Sequence, residues 1–285
     1  MIEPHPKWQT CPDGDLGIVV SGDAAVEWIM PYFHKYVSEN SDLPVTFFDQ
    51  GLTPAGRAYA KNHFNVIPFY LDTTFVKAHP NTKQRWELVF SPEYLSKRHA
   101  WFHKPFILLA SPYRRTLWVD IDCKVQHPPE KFLNEFSPTS GFAVAPDFIP
   151  ENASRNNTYR NLLCVNLPNE TVYNTGVLYA EYGASFVEEW ARFCLNHNDK
   201  HLGDQDVLID LCYQKNLESS LFPHLPKTFD ELPKSFNWNH TVSENLDAYI
   251  LHYHSIGKEN IFNYMNDQNL FIPSLKKPYL QMFFG

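Results

Sequence analysis

A chain of 285 residues with a hydrophobic share of 44% can bury a sizeable core, as one α/β domain or two smaller ones, and that share argues against extensive disorder. The formal net charge of −8, with no long Lys/Arg run, argues against a chain devoted to nucleic acid or another polyanion. No apolar stretch approaches the roughly 20 residues needed to span a bilayer, and Met1 to Cys11 is polar and Pro-containing rather than an export signal.

Cys11, Cys123, Cys164, Cys194 and Cys212 are odd in number, widely spaced and free of any C-x-x-C pair. They suggest neither a disulfide framework nor a zinc site, and a reducing compartment follows as the simpler expectation. The expected protein is therefore soluble and cytoplasmic, with peripheral membrane association left open.

Leu16 to Ser21 predicts a strand that ends in the polar turn Ser21-Gly22-Asp23. A helix is expected from Ala24 to Val37, where Val26, Ile29, Met30, Phe33 and Val37 recur at spacings of three and four. Pro44 to Phe48 gives a second strand, Pro54 to Phe64 a second helix and Asn65 to Pro68 a third strand. This alternation favours a mainly parallel sheet covered by helices. Ser96 to Leu109 reads as a further helix despite Pro105, leading into the strand Thr116 to Val125.

That strand carries Asp120 and Asp122 two residues apart. On a strand they point the same way, about 7 Å apart at Cα. A divalent cation of the Mg or Mn type prefers oxygen ligands and keeps sites open for phosphate, so the pair suits a metal and a diphosphate. Ligands of open parallel sheets gather at the carboxyl ends of the strands, where Asp23, Asp120 and Asp122 fall. The plainer alternative is a polar turn.

Further along, Gly141 to Ala145 predicts a strand, Ser154 to Val165 a polar region with a candidate helix, and Val172 to Tyr179 a strand interrupted by Asn174-Thr175-Gly176. Helices follow at Ser185 to Leu195 and at Gln205 to Tyr213, the second started by Asp204 as N-cap. From Leu217 on, Pro- and Asn-containing segments read as loops that wrap the site. Aromatics at 15% of residues serve packing or stacking on sugars and bases; Trp238 is a candidate for an acceptor wall.

Trp118-Val119-Asp120-Ile121-Asp122, Tyr173-Asn174-Thr175-Gly176-Val177, Gly203-Asp204-Gln205-Asp206 and His252-Tyr253-His254-Ser255-Ile256-Gly257-Lys258 occur in an order that resembles a glycosyltransferase of the GT-A fold. The family 8 type, with glycogenin and bacterial lipopolysaccharide galactosyltransferases, is the nearest likeness. The resemblance implies one GT-A domain over 1–285: a mainly parallel sheet flanked by helices, with a Rossmann-like nucleotide-sugar lobe (about 1–122) merged with an acceptor and metal-completing lobe (about 123–285).

It further implies Asp120, Asp122 and His254 as ligands of Mn²⁺, or Mg²⁺. Ser21, Asp23, Lys104, Asp120, Gly257 and Lys258 fall to the donor, Thr175 and Trp238 to the acceptor. Asp204, Gln205 and Asn174 stand beside the transferring sugar. One departure stands out: the family usually reads His-x-x-Gly-x-x-Lys, whereas Lys258 follows Gly257 directly and Asn260 occupies the usual lysine position when His254 starts the motif.

The function implied is metal-dependent transfer of a hexose from a nucleotide sugar, UDP-linked by expectation, to a glycan, lipid-linked or protein acceptor, with retention of configuration. Two alternatives stay open. One is a non-catalytic carbohydrate-binding or inactive transferase-like protein; the other is a nucleotidyltransferase, although Gly14-Asp15-Leu16-Gly17 lacks the basic residues that hold a triphosphate.

Overall fold

The computed structural model describes residues 14–88, 90–147, 172–221, 228–239, 245–253 and 257–275. Its strands are β1 (Gly14–Gly22), β2 (Val45–Asp49), β3 (Asn65–Pro68), β4 (Tyr113–Val119), β5 (Cys123–Val125), β6 (Phe142–Pro146), β7 (Tyr173–Glu181), β8 (Asp230–Glu231), β9 (Trp238–Asn239) and β10 (Ile250–His252). The helices are α1 (Met30–Asn40), α2 (Pro54–His63), α3 (Pro80–Glu87), α4 (Pro92–Ser96), α5 (Lys104–Leu109), α6 (Pro129–Leu133), α7 (Ser185–His197), α8 (Asp204–Leu221) and α9 (Gly257–Asp267).

Seven strands form the main sheet in the order β3-β2-β1-β4-β7-β6-β8. The pairs from β3 to β4 are parallel, and β7 runs antiparallel to both β4 and β6. Side chains alternate along each strand, so one strand feeds two cores. Ile18, Val20, Leu117 and Val119 join the core on one face, while Val19 and Trp118 join the other.

A small second sheet has the order β5-β10-β9. It pairs His252 with Cys123 on one side and with Asn239 on the other. Among the described residues no helix is long and apolar enough to cross a membrane.

Four local expectations change. The helix expected from Ala24 starts later, because the Asp23 side chain accepts from Ala25 N–H at 2.8 Å and holds a turn there. A 3₁₀ turn at Glu27–Ile29 follows before α1, with Pro31 in the first turn, where a missing N–H costs nothing. Ser96 to Leu109 is not one helix: α4 ends at Ser96, a 3₁₀ turn spans Arg98–Phe102, and α5 opens at Lys104 with Pro105 next. Pro105 has no N–H to donate to the carbonyl one turn back and its ring crowds that turn, so the run breaks and the proline stands in the first turn of α5.

Third, β4 stops at Val119, and Asp120–Cys123 forms a turn closed by Cys123 N–H on the Asp120 carbonyl at 3.0 Å. The two aspartates share a side because of this turn, not because of strand alternation. The segment after Leu217, read as loops, also contains the end of α8 and the whole of α9. The expected helix at Ser154 to Val165 lies outside the described residues.

Candidate active site

The Asp120–Cys123 turn sits at the carboxyl end of β4, beside the end of β1, where a Cβ on Gly22 would lie 3.6 Å from Ile121. Asp120 is held from two directions. Trp118 Nε1 donates to its Oδ1 at 2.7 Å, and Lys104 Nζ lies 3.0 Å from Oδ1 and 3.2 Å from Oδ2. Because α5 starts afresh at Lys104, the lysine projects from a helix N-terminus instead of lying along a continuous helix. Its Nζ also donates to the Thr175 carbonyl at 2.8 Å and to Thr175 Oγ1 at 3.1 Å. Burial opposes the charge of Lys104, but Asp120, Asp204 and Asp122 outweigh it and raise its pKa.

Asp122 is buried and divides its oxygens between two partners. Oδ2 lies 2.5 Å from Lys258 Nζ, and Oδ1 lies 3.4 Å from His252 Nε2. Burial works against its charge too, yet Lys258 and then His252 hold the carboxyl well below the usual range. His252 Nε2 is also 3.8 Å from Asp120 Oδ2.

His252 presses on β7 where a side chain is missing: a Cβ on Gly176 would fall 2.2 Å from His252 Cε1. The Gly of Asn174-Thr175-Gly176 is thus the floor on which the imidazole lies. Asp122, Cys123 and His252 bring ligand-capable atoms within 4.8 Å of one another and form a candidate metal centre. Burial, with Asp122 and Asp120 nearby, pushes the Cys123 thiol well above its ordinary pKa, so Cys123 stays protonated and is the weakest donor of the group.

Gln205, in the first turn of α8, accepts from Thr175 N–H at 3.1 Å and lies 3.3 Å from Thr175 Oγ1 through its Oε1. It joins Lys104 and Asp120 through Thr175. Asp204 accepts from the backbone N–H of Lys104; burial raises its pKa to about 7, with Lys104 pulling down and Asp120 pushing up. Asp206 faces elsewhere. Its Oδ2 accepts from Gly203 N–H at 3.1 Å, so it caps the helix, and burial raises it to about 6 against the pull of His201.

The β4 turn, β7 and the starts of α5, α8 and α9 thus bring together Asp120, Asp122, Lys104, Asn174, Thr175, Gln205, Asp204 and Lys258. Gly257 is buried at the start of α9. Ser21 is in β1, paired with Phe48, and the Asp23 carboxylate is engaged in its local turn. Trp238 packs half-buried against the core. His254 lies outside the described residues.

Sequence reasoning passed over His252 and Asn237. The signal for His252 was available: it stands six residues before Lys258, the His-to-Lys spacing of His-x-x-Gly-x-x-Lys, with Ser255 in the glycine position. In this register the lysine is in place and the glycine is replaced.

No protein-family profile and no curated protein matches the chain in sequence. Solved structures do match. Galactosyltransferase LgtC, in complex with donor and acceptor sugar analogs, superposes with a TM-score of 0.52 at 15% identity, over 88% of this chain and 95% of that one. The bifunctional glycosyltransferase WbbM in its apo form gives a TM-score of 0.50 at 13% identity, over 86% of this chain and 46% of that one. The seven-stranded mixed sheet and its flanking helices are those of the GT-A fold of glycosyltransferases.

Proposed function

We propose that the chain is a metal-dependent glycosyltransferase that moves a hexose from a UDP-linked sugar to a glycan, lipid-linked or protein acceptor, with retention of configuration. One observation carries the reading: Asp120, Asp122 and His252 converge at a sheet's carboxyl end, flanked by Lys104 and Lys258, in a GT-A fold.

The donor set suits a divalent cation. An octahedral ion with ligands at about 2.1 Å sets neighbouring ligand atoms ~3 Å apart, and the 3.4 Å and 3.8 Å separations around His252 Nε2 are slightly wider. Two carboxylates and an imidazole fit Mn²⁺, or Mg²⁺ less readily. Bound there, the ion supplies Lewis-acid stabilisation of the departing diphosphate.

The chain's own residues do the rest. Lys104 and Lys258 place two ammonium groups beside the aspartates, where negative charge builds on the leaving phosphate. Gln205 commits Oε1 to a backbone N–H, which leaves its Nε2 donors for the sugar or the acceptor. Asp204, titrating near neutrality, lies next to Lys104. In this reading the donor rests on the lobe of about 1–122, and the acceptor meets the site through about 123–285. Buried free Cys123, Cys194 and Cys212 support a reducing, cytoplasmic setting.

Thermal unfolding with UDP, GDP and CMP, each with and without Mn²⁺, tests the proposal. A ligand at 100 times its Kd stabilises by about 2.7 kcal/mol. UDP with Mn²⁺ is expected to raise Tm in the wild type and not in Asp122→Ala. Absence of any nucleotide shift under all metal conditions rejects the nucleotide-sugar reading.

A further inference from the structure

Asn237 stands between His252 and β7, and its amide is oriented by groups whose hydrogen-bonding character cannot change. Its Nδ2 lies 3.1 Å from the Asn174 carbonyl oxygen and 2.9 Å from Asn174 Oδ1. The carbonyl can only accept. Asn174 Oδ1 is fixed as the oxygen of its own amide by Gly176 N–H, which donates to it at 2.8 Å.

Asn237 therefore turns its NH₂ to Asn174 and its Oδ1 to His252 Nδ1, 3.0 Å away. An amide oxygen accepts and does not donate, so the proton is on Nδ1. In a neutral imidazole the other nitrogen then carries a lone pair. That nitrogen, Nε2, faces Asp122 Oδ1 and Asp120 Oδ2. A lone pair set against two carboxylates repels unless a cation stands between them; without metal a proton on Nε2, shared with Asp122, fills that place, and a divalent ion would take it over. Asn174, Asn237 and His252 are all buried, so water is poorly placed to take over any link of the relay.

We infer that Asn237 is a positioning residue: anchored to the backbone of β7, it fixes His252 in the Nδ1–H tautomer and aims the Nε2 lone pair at the cation site formed with Asp120 and Asp122. The inference rests on the cation reading above and adds to it the residue that prepares the nitrogen ligand before metal arrives. A hydrogen bond to the far nitrogen of a ligating imidazole fixes its tautomer and ring orientation, and its loss typically weakens metal affinity 10- to 100-fold.

The test is a ¹H–¹⁵N correlation spectrum of the histidine rings in metal-free protein, recorded at rising pH until the ring signals themselves report a neutral imidazole. The His252 signals are assigned by their loss in His252→Gln. The wild type is expected to show a protonated Nδ1 and a lone-pair-bearing Nε2. Asn237→Leu is expected to lose that preference and to bind Mn²⁺ about 10- to 100-fold more weakly.

A neutral wild-type ring that carries its proton on Nε2 and none on Nδ1 overturns the inference without requiring any variant to fold. An unchanged Nδ1–H preference in folded Asn237→Leu overturns it as well. If the tautomer is as expected but His252→Gln leaves Mn²⁺ affinity untouched, the cation reading fails, and the positioning role assigned to Asn237 falls with it.

Discussion

Lys258 reaches from the first turn of α9 to set its Nζ 2.5 Å from Asp122 Oδ2, closing a buried ion pair between the end of the main sheet and a helix distant in sequence. Removing one partner of such a pair leaves an uncompensated buried charge, which typically costs about 3–5 kcal/mol. Lys258→Met is therefore expected to lower stability at neutral pH by up to that amount. Because the folded pKa of Asp122 is depressed, its contribution is present above the unfolded carboxylate pKa and is lost only as pH falls through the folded value. The deficit of Lys258→Met should accordingly shrink in strongly acid solution, as denaturant titrations across pH will show; a deficit independent of pH contradicts the pairing.

Asp204 has the opposite sign. Burial raises its folded pKa to about 7, so the stability linked to its neutral form is complete below the unfolded value and disappears as pH rises to about 7. Asp206, raised to about 6, adds to the same trend. Unfolding free energy should fall between mildly acid and neutral pH, and Asp204→Asn should flatten much of that slope. Calorimetry of both proteins over this window makes the comparison.

Gly176→Ala inserts a methyl group into the space taken by His252, with a contact of 2.2 Å that backbone and imidazole must relieve. Overpacking of this kind typically costs about 1–3 kcal/mol. The displaced ring should also weaken Mn²⁺ binding, measured by titration calorimetry. Unaltered metal affinity would separate His252 from the site.

Lys104 holds Asp120, the Thr175 carbonyl and the Thr175 hydroxyl together. Lys104→Met should cut kcat/KM for donor turnover about 100-fold, the scale of losing one preorganised electrostatic group. Steady-state kinetics decide this, with circular dichroism to establish that the variant is folded.

Six of the seven strands of the main sheet were legible as short runs bounded by turn residues, as Leu16–Ser21 and Asn65–Pro68 show, whereas β8, made of Asp230–Glu231, falls in the segment read as loops. The candidate site was legible as residue types more than as geometry. Asp120 and Asp122 stood out as a pair, yet the turn that joins them was hidden, because an apolar run through Ile121 and Cys123 looks like one continuous strand. His254, favoured by its nearness to Gly257, lies outside the described residues, and the spacing to Lys258 equally fits His252. Asn237 gave no signal at all: an amide acts here through partners on β7 and β10, far away in sequence, and neither periodicity nor motif spacing encodes such a relay.

The small sheet ties β5, which follows directly on Asp122, to β10, which ends in His252. More than a hundred residues of chain separate the two halves of the candidate centre, and hydrogen bonds between backbones set their distance. During synthesis, the aspartate turn, with Lys104 already at hand, can fold onto the main sheet long before His252 and Lys258 leave the ribosome. The candidate centre is thus completed only when a late strand docks, so a chain interrupted before Ile250 would keep most of the scaffold and lack both His252 and Lys258.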